Sequence, residues 1–157
     1  MGFVAEEIKV AVAGILLVGL AALLANVLSR ILPASSSLYF FLWAFVLVPV
    51  ILLVVGAFGA RAAYYACMSP NQSIALAVSA ALVSAIGGTI LWMLASPVAP
   101  GPDFIGEYLF NRDIGGYIEL VPLLIVYALS GAIGGVYDYY ISRGRQCEID
   151  RNKKGRA

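Results

Sequence analysis

The sequence has no histidine, only two cysteines and few charged residues. Charged side chains make up 12% of the 157 residues, about half the share in an ordinary soluble domain. Without histidine there is no imidazole to act as a general base, to complete a Ser-His-Asp triad or to bind a metal. Two cysteines, Cys67 and Cys147, are too few for a four-cysteine zinc site or a disulfide framework. We therefore expect no enzyme activity, no metal site and no cofactor.

Apolar residues dominate the composition instead. Hydrophobic residues make up 62% of the chain, and there are 16 glycines besides; soluble domains are about 45–50% apolar with glycine included. A chain this short cannot bury so much apolar surface in a water-soluble globule, because small domains leave much of their surface exposed. The composition predicts an all-α integral membrane protein whose main partner is the lipid bilayer. It disfavours a soluble enzyme, a disordered tail and a nucleic-acid-binding protein.

Four long apolar stretches predict a four-transmembrane-helix up-down bundle. Twenty helical residues, at 1.5 Å each, cover the ~30 Å of a bilayer core. The helices are predicted over about residues 8–30, 38–67, 70–96 and 117–141, within a single transmembrane domain, 1–143. The third should begin at Ser69-Pro70-Asn71-Gln72, which has a capping serine, a proline and a glutamine in the expected order. Pro49 should disturb the second helix, because proline lacks a backbone donor.

Two polar segments lie outside these helices. In the third loop, Asp103, Glu107 and Asn111 are spaced four apart, with Phe104 and Tyr108 on the other side. This pattern predicts a short amphipathic helix lying at the membrane interface. Residues 144–157 form a basic tail, which we expect to contact anionic lipid headgroups.

The basic residues predict the orientation of the chain. With four spans both termini lie on one side, and eight of the ten basic residues fall on that side. Arg30 and Arg112 are the two on the other side. The positive-inside rule then predicts a multi-pass protein of the cell membrane with cytoplasmic N- and C-termini.

Small residues recur at four-residue spacing in the third and fourth stretches, which is typical of membrane helices that pack closely. The candidate packing residues are Ala77, Ala81, Ala85, Gly88, Gly131 and Gly135. They predict that the third and fourth helices form the closest pair. Ala21, Ala25 and Ser29 of the first helix would then be left for another contact, such as one between protomers. The sequence Ala-Ile-Gly-Gly occurs at 85–88 and again at 132–135.

Arg61 and Asp138 are the two charges set furthest inside predicted helices. Each lies about two turns from the cytoplasmic helix end, where an unpaired charge is costly, so we expect them to pair. The pair has two interpretations: a structural contact near the interface, or a gate. Tyrosines crowd the same boundary, and Trp43 and Trp92 fall towards the other, as in interfacial aromatic belts.

Two hypotheses for function follow. The first is a non-enzymatic membrane protein, either an assembly subunit bound to another membrane protein or a self-associating helical bundle that forms a homo-oligomer. The alternative is a small channel or transporter with an Arg61/Asp138 gate.

The predicted orientation can be tested by cysteine labelling of intact cells with a membrane-impermeant reagent. A cysteine introduced at Asn111 should be labelled, because the third loop faces outward, whereas one at Asn152 should be spared. The reverse pattern would contradict the orientation, and labelling at both positions would contradict the number of spans.

Overall fold

A computed structural model describes residues 2–31, 36–65, 69–96 and 116–142, and nearly all of them are helical. The helices are α1 (Gly2–Ile31), α2 (Ser36–Leu42), α3 (Val48–Tyr65), α4 (Pro70–Ala95) and α5 (Gly116–Ser142), with a π-helical segment (Trp43–Leu47) joining α2 to α3. The predicted helix around 103–111 and the tail 144–157 lie outside the described residues.

Four helical stretches are long and apolar enough to cross a membrane, and they fall where the sequence predicts spans. They are Glu6–Ser29, Leu38–Arg61, Asn71–Ala95 and Val121–Ile141. The second consists of most of α2, the π-helical segment and most of α3, which form one continuous helical rod.

The start of α4 has the predicted capping box. Ser69 Oγ accepts from the Gln72 backbone N–H, and Gln72 Oε1 accepts from the Ser69 backbone N–H at 3.2 Å. Pro70 occupies the first turn, where its missing N–H leaves no broken hydrogen bond. The capping box fixes where α4 begins.

The disturbance predicted at Pro49 is a change of helix type. Just before the proline, the Val48 N–H donates to the carbonyl of Trp43, five residues back. Proline cannot donate to the carbonyl four residues before it and pushes against that carbonyl. A wider π-helical turn accommodates this without ending the helix.

The outer surface of the bundle is apolar. Large aliphatic side chains form exposed rows, such as Leu16, Leu20 and Leu24 on α1, and Ile125, Leu129 and Ile133 on α5. A water-soluble helical bundle carries polar residues on its outer face. The buried core holds many alanines besides its larger side chains, so the helices pack closely.

The most extensive helix contact is between α3 and α5, whose backbones meet at glycines. A Cβ added at Gly56 would overlap the carbonyl oxygen of Gly131, and one added at Gly134 would overlap that of Leu53. Only glycine permits backbones to approach so closely. The prediction that the third and fourth spans, α4 and α5, form the closest pair is therefore wrong.

The predicted small-residue contact between α4 and α5 nevertheless exists. A Cβ added at Gly131 would meet the Ala81 side chain, and one at Gly135 would meet Ala77. Both glycines are buried. They therefore lie between α3 and α4, and the prediction failed because it considered only one of the two neighbours of α5.

The chain direction of each helix follows from these contacts. Along α4 and α5 the contacts run in opposite order, with Ala77 beside Gly135 and Ala81 beside Gly131. Ser73 of α4 donates to the Ala60 carbonyl at 3.1 Å, and the next contact pairs Gly59 with Ala77. Both α3 and α5 are therefore antiparallel to α4.

Helix α1 packs parallel to α4. Gly14 faces Ser84, and further along both helices Val18 faces Gly88. The expectation that the small residues of α1 remain free for contacts between protomers is wrong, because Ala21 and Ala25 are buried in the core. The rod containing α2 packs against α1, and the Tyr39 hydroxyl donates to the carbonyl of Leu28 at 3.3 Å.

Gly56 and Gly59 offer a matched test of the α3–α5 contact. Gly56→Ala should lower the free energy of unfolding by about 1–3 kcal/mol, the usual cost of overpacking, because the new methyl overlaps the Gly131 backbone. At Gly59 the same methyl meets Ala77 and Ala80 at 3.5 Å, an ordinary contact. Gly59→Ala should therefore be neutral or stabilising by up to ~1 kcal/mol, since alanine favours helix. Unfolding of purified variants measures both, and equal losses would contradict the proposed backbone contact.

Candidate functional site

The structure brings the two candidate site residues together. Arg61 Nη2 donates to Asp138 Oδ1 at 2.8 Å. Arg61 lies near the end of α3 and Asp138 near the end of α5, and these helices run side by side in the same direction. The glycine contacts one to two turns earlier hold the two helices close enough for one side chain to reach the other.

The two partners differ strongly in exposure. The Asp138 side chain is 6% exposed, whereas that of Arg61 is 48% exposed. The Arg61 guanidinium also lies over the ring of Phe58, with Cζ 5.6 Å from the ring centroid. Such stacking on an aromatic ring is favourable and limits the orientations of the guanidinium. The site is thus a buried carboxylate held by an arginine that reaches the surface.

Because the two side chains differ in burial, each gains a different stabilisation from the ion pair. A buried carboxylate loses much of its hydration, and a hydrogen-bonded guanidinium offsets that loss. The half-exposed arginine keeps part of its own contact with the surroundings. Asp138 therefore depends on Arg61 more than Arg61 depends on Asp138.

A second ion pair provides a comparison. Lys9 Nζ and Glu6 Oε1 of α1 are 2.7 Å apart, and their side chains are 70% and 58% exposed. Exposed pairs of this kind contribute little to stability. Among the described residues, no group of three histidine, cysteine, aspartate or glutamate side chains is placed to hold a metal ion.

The aromatic residues only partly follow the predicted belts. Tyr137 and Tyr140 are exposed near the Arg61–Asp138 pair, as in a belt, and Tyr139 is buried. Trp43 and Trp92 are 1% and 2% exposed, so they do not face the outer surface as belt residues do, and their predicted depth stays a prediction. They belong to the buried core.

Several polar groups are buried in the bundle, and of these sequence reasoning missed Asn26, while Ser73 and Ser84 lie on the small-residue rows of the third predicted helix. Asn26 is 1% exposed within α1, and Ser73 and Ser84 are fully buried. Ser84 Oγ donates to the carbonyl of Ala80 in its own helix at 2.7 Å, while the Ala11 carbonyl of α1 is 3.4 Å away. Serine at small-residue spacing signals packing, but which carbonyl it reaches depends on the neighbouring helix.

The candidate packing residues are all placed between helices. Ala77, Ala81 and Ala85 are buried towards the core, Gly88 lies against α1, and Gly131 and Gly135 lie between α3 and α4. No protein-family model, curated protein or solved structure matches this chain.

A double-mutant cycle tests whether the ion pair stabilises the fold. Arg61→Gln should lower the free energy of unfolding by about 2–3 kcal/mol, because it leaves a buried carboxylate without its guanidinium. Asp138→Asn should cost less, since Arg61 is half-exposed. The double variant should lose less than the sum, with a coupling of about 1–2 kcal/mol.

The control is the same cycle on Glu6 and Lys9, with substitutions to glutamine. Its coupling should be about 0.3–0.5 kcal/mol, as for other exposed pairs. Equal coupling in the two cycles would contradict a special contribution from the buried carboxylate.

Proposed function

We propose that this chain is a multi-pass protein of the cell membrane that acts by association. In this proposal it is a non-enzymatic assembly subunit or a self-associating bundle, with four spans running up and down and both termini in the cytoplasm. The observation that carries the proposal is the apolar outer surface around a core whose helices meet at small residues. Such a surface suits lipid and other membrane helices, which associate by close packing.

The charged residues support this placement. Of the seven charged residues in the described helices, Arg30 in the last turn of α1 and Glu119 in the first turn of α5 lie at one end of the bundle. The other five lie towards the end where α1 begins and α3 and α5 finish: Glu6, Glu7, Lys9, Arg61 and Asp138. That is the end to which the positive-inside rule assigns the cytoplasm. Between these residues and the opposite helix ends, the rows of exposed side chains are apolar.

The packing favours association over conduction. The α3–α5 contact is closed by backbone atoms, and the α4–α5 and α1–α4 contacts are closed by small side chains and glycines. A path for a solute along any of these interfaces would require the helices to separate. The outer surface, in contrast, can contact another membrane protein without any rearrangement.

A second candidate is a small channel or transporter with an Arg61/Asp138 gate. It is favoured by the buried carboxylate near a helix end, because intramembrane charges are often functional. The half-exposed arginine could leave Asp138 without crossing the core. Flux measured in liposomes distinguishes this candidate from the first, with Lys9→Gln as a control for Arg61→Gln. Flux that Arg61→Gln alone abolishes would favour the gate.

The association proposal is tested by extracting the protein from native membranes directly into lipid nanodiscs. Native mass spectrometry should show either several copies of the 16.6 kDa chain or one copy with a second protein. Heat denaturation in sodium dodecyl sulfate provides the control and should yield the single chain. A single chain without a partner in the nanodiscs would contradict the proposal.

A further inference from the structure

The π-helical segment leaves one buried carbonyl without a donor from its own helix. In a regular α-helix the Ala44 carbonyl would accept from the N–H of residue 48. Here the Val48 N–H donates to Trp43 instead, and the next residue, Pro49, has no N–H. Ala44 has no exposed surface. Because buried backbone carbonyls nearly always accept a hydrogen bond, we expect a donor from outside this helix.

A buried hydroxyl on α5 has the complementary need. Tyr127 is 6% exposed, and its Oη atom has no hydrogen-bond partner among the described residues. The hydroxyl of a buried tyrosine usually has one, because a buried polar group left unsatisfied is costly. Tyr39 is buried to the same degree and does donate, to the carbonyl of Leu28. Burial alone therefore does not explain the Tyr127 hydroxyl.

The register of α3 and α5 brings this hydroxyl and the Ala44 carbonyl to the same level of the bundle. Gly131 lies against Gly56, so Tyr127, one turn before Gly131, lies one turn before Gly56 as well. Helical side chains lean towards the N-terminus of their helix, so the Tyr127 ring extends a further turn, to the level of Val48. A helix carbonyl points towards the residue four positions on, so the Ala44 carbonyl points to that level too.

The packing of the core agrees with this placement. Tyr127, Ala44 and Val48 belong to one cluster of buried residues, and the π-helical segment contacts α5. The hydroxyl and the carbonyl do not bond to each other directly, since Tyr127 Oη has no partner. A donor and an acceptor thus lie in the same part of the core, and a small molecule that both donates and accepts could bridge them.

We infer that a water molecule binds between Tyr127 and the π-helical segment. It accepts from the Tyr127 hydroxyl and donates to the Ala44 carbonyl, which gives it the two polar partners that a buried water needs at minimum. Ordered waters and π-helical turns are both known to satisfy carbonyls that a proline frees within a membrane helix. This water site does not depend on the proposed association, because it lies inside a single chain.

X-ray radiolytic labelling of the protein in lipid nanodiscs tests the site, because radicals formed from a bound water oxidise the side chain beside it. Mass spectrometry of proteolytic peptides gives the oxidation rate of each tyrosine. Tyr127 should be oxidised several-fold faster than Tyr39, although both are buried, because Tyr39 is bonded to a protein carbonyl. Equal rates for the two tyrosines would overturn the water site, and this comparison needs no variant.

Pro49→Ala tests whether the carbonyl holds the water. The variant supplies the missing N–H, so the Ala44 carbonyl has a helix donor in either geometry: the new N–H in a π-helical turn, or the Val48 N–H in a regular α-helix. Oxidation of Tyr127 should then fall towards the rate of Tyr39, with helicity unchanged. Undiminished oxidation of Tyr127 in the folded variant would overturn the assignment of the Ala44 carbonyl as acceptor.

Tyr127→Phe tests the hydroxyl through the sign of its effect on stability. Removing a hydroxyl that binds the water should lower Tm by about 2–4 °C, the equivalent of a typical hydrogen bond in a chain of this size. Removing a buried hydroxyl that has no partner at all should instead raise Tm, because its desolvation is no longer opposed to folding. Tyr39→Phe is the matched control for a direct bond and should also lower Tm. An unchanged or raised Tm for Tyr127→Phe would overturn the inference.

Discussion

The structure depends on glycines that let helix backbones touch. In the proposed membrane placement, helices gain little by hiding apolar surface from one another, so close packing has to hold them together. Gly56, Gly131 and Gly134 bring the backbones of α3 and α5 into direct contact. Because the helices are fixed at that distance, the Arg61 side chain can reach a carboxylate that is itself buried. The placement of the charged site thus follows from residues that have no side chain.

The sequence predicted the helices well because their signals are local. Apolar length, the serine cap of α4 and the prolines specified four helical stretches without reference to any partner. Which helices pair was not predictable in the same way. Gly131 and Gly135 matched the alanine row of α4. The helix that carries them also packs against α3, however, and its contact with α3 is more extensive than its contact with α4. Gly56 and Ala60 of α3 are also spaced four apart, but this two-residue row is shorter than the row of three alanines in α4 and gave a weaker signal.

The sequence predicted which two residues form the candidate site, but not that Asp138 is buried while Arg61 is half-exposed. Two isolated charges at similar distances from helix ends suggest a pair, whatever the details of packing. How far each is buried depends on the rotation of α3 and α5 about their axes, which no local pattern specifies. The aromatic residues show the same limit. Trp43 and Trp92 occur where interfacial residues are expected, yet the rod containing α2 folds against α1 and the indole rings are buried.

The π-helical segment before Pro49 determines which residues of the second span face inward. Phe40, Ala44, Val48 and Leu52 are all fully buried although they are spaced four apart. In a regular α-helix each step of four turns about 40° past a full rotation, so such a row drifts off the core face. The wider turn at Trp43–Leu47 takes up part of that excess. Deleting a single residue there would let the segment return to a regular α-helix, in which the path from Phe40 to Leu52 turns only about 20° past three full rotations. The helix would remain unbroken and its aromatic residues would still face α1, so the segment accommodates one extra residue without turning α2 away from the core.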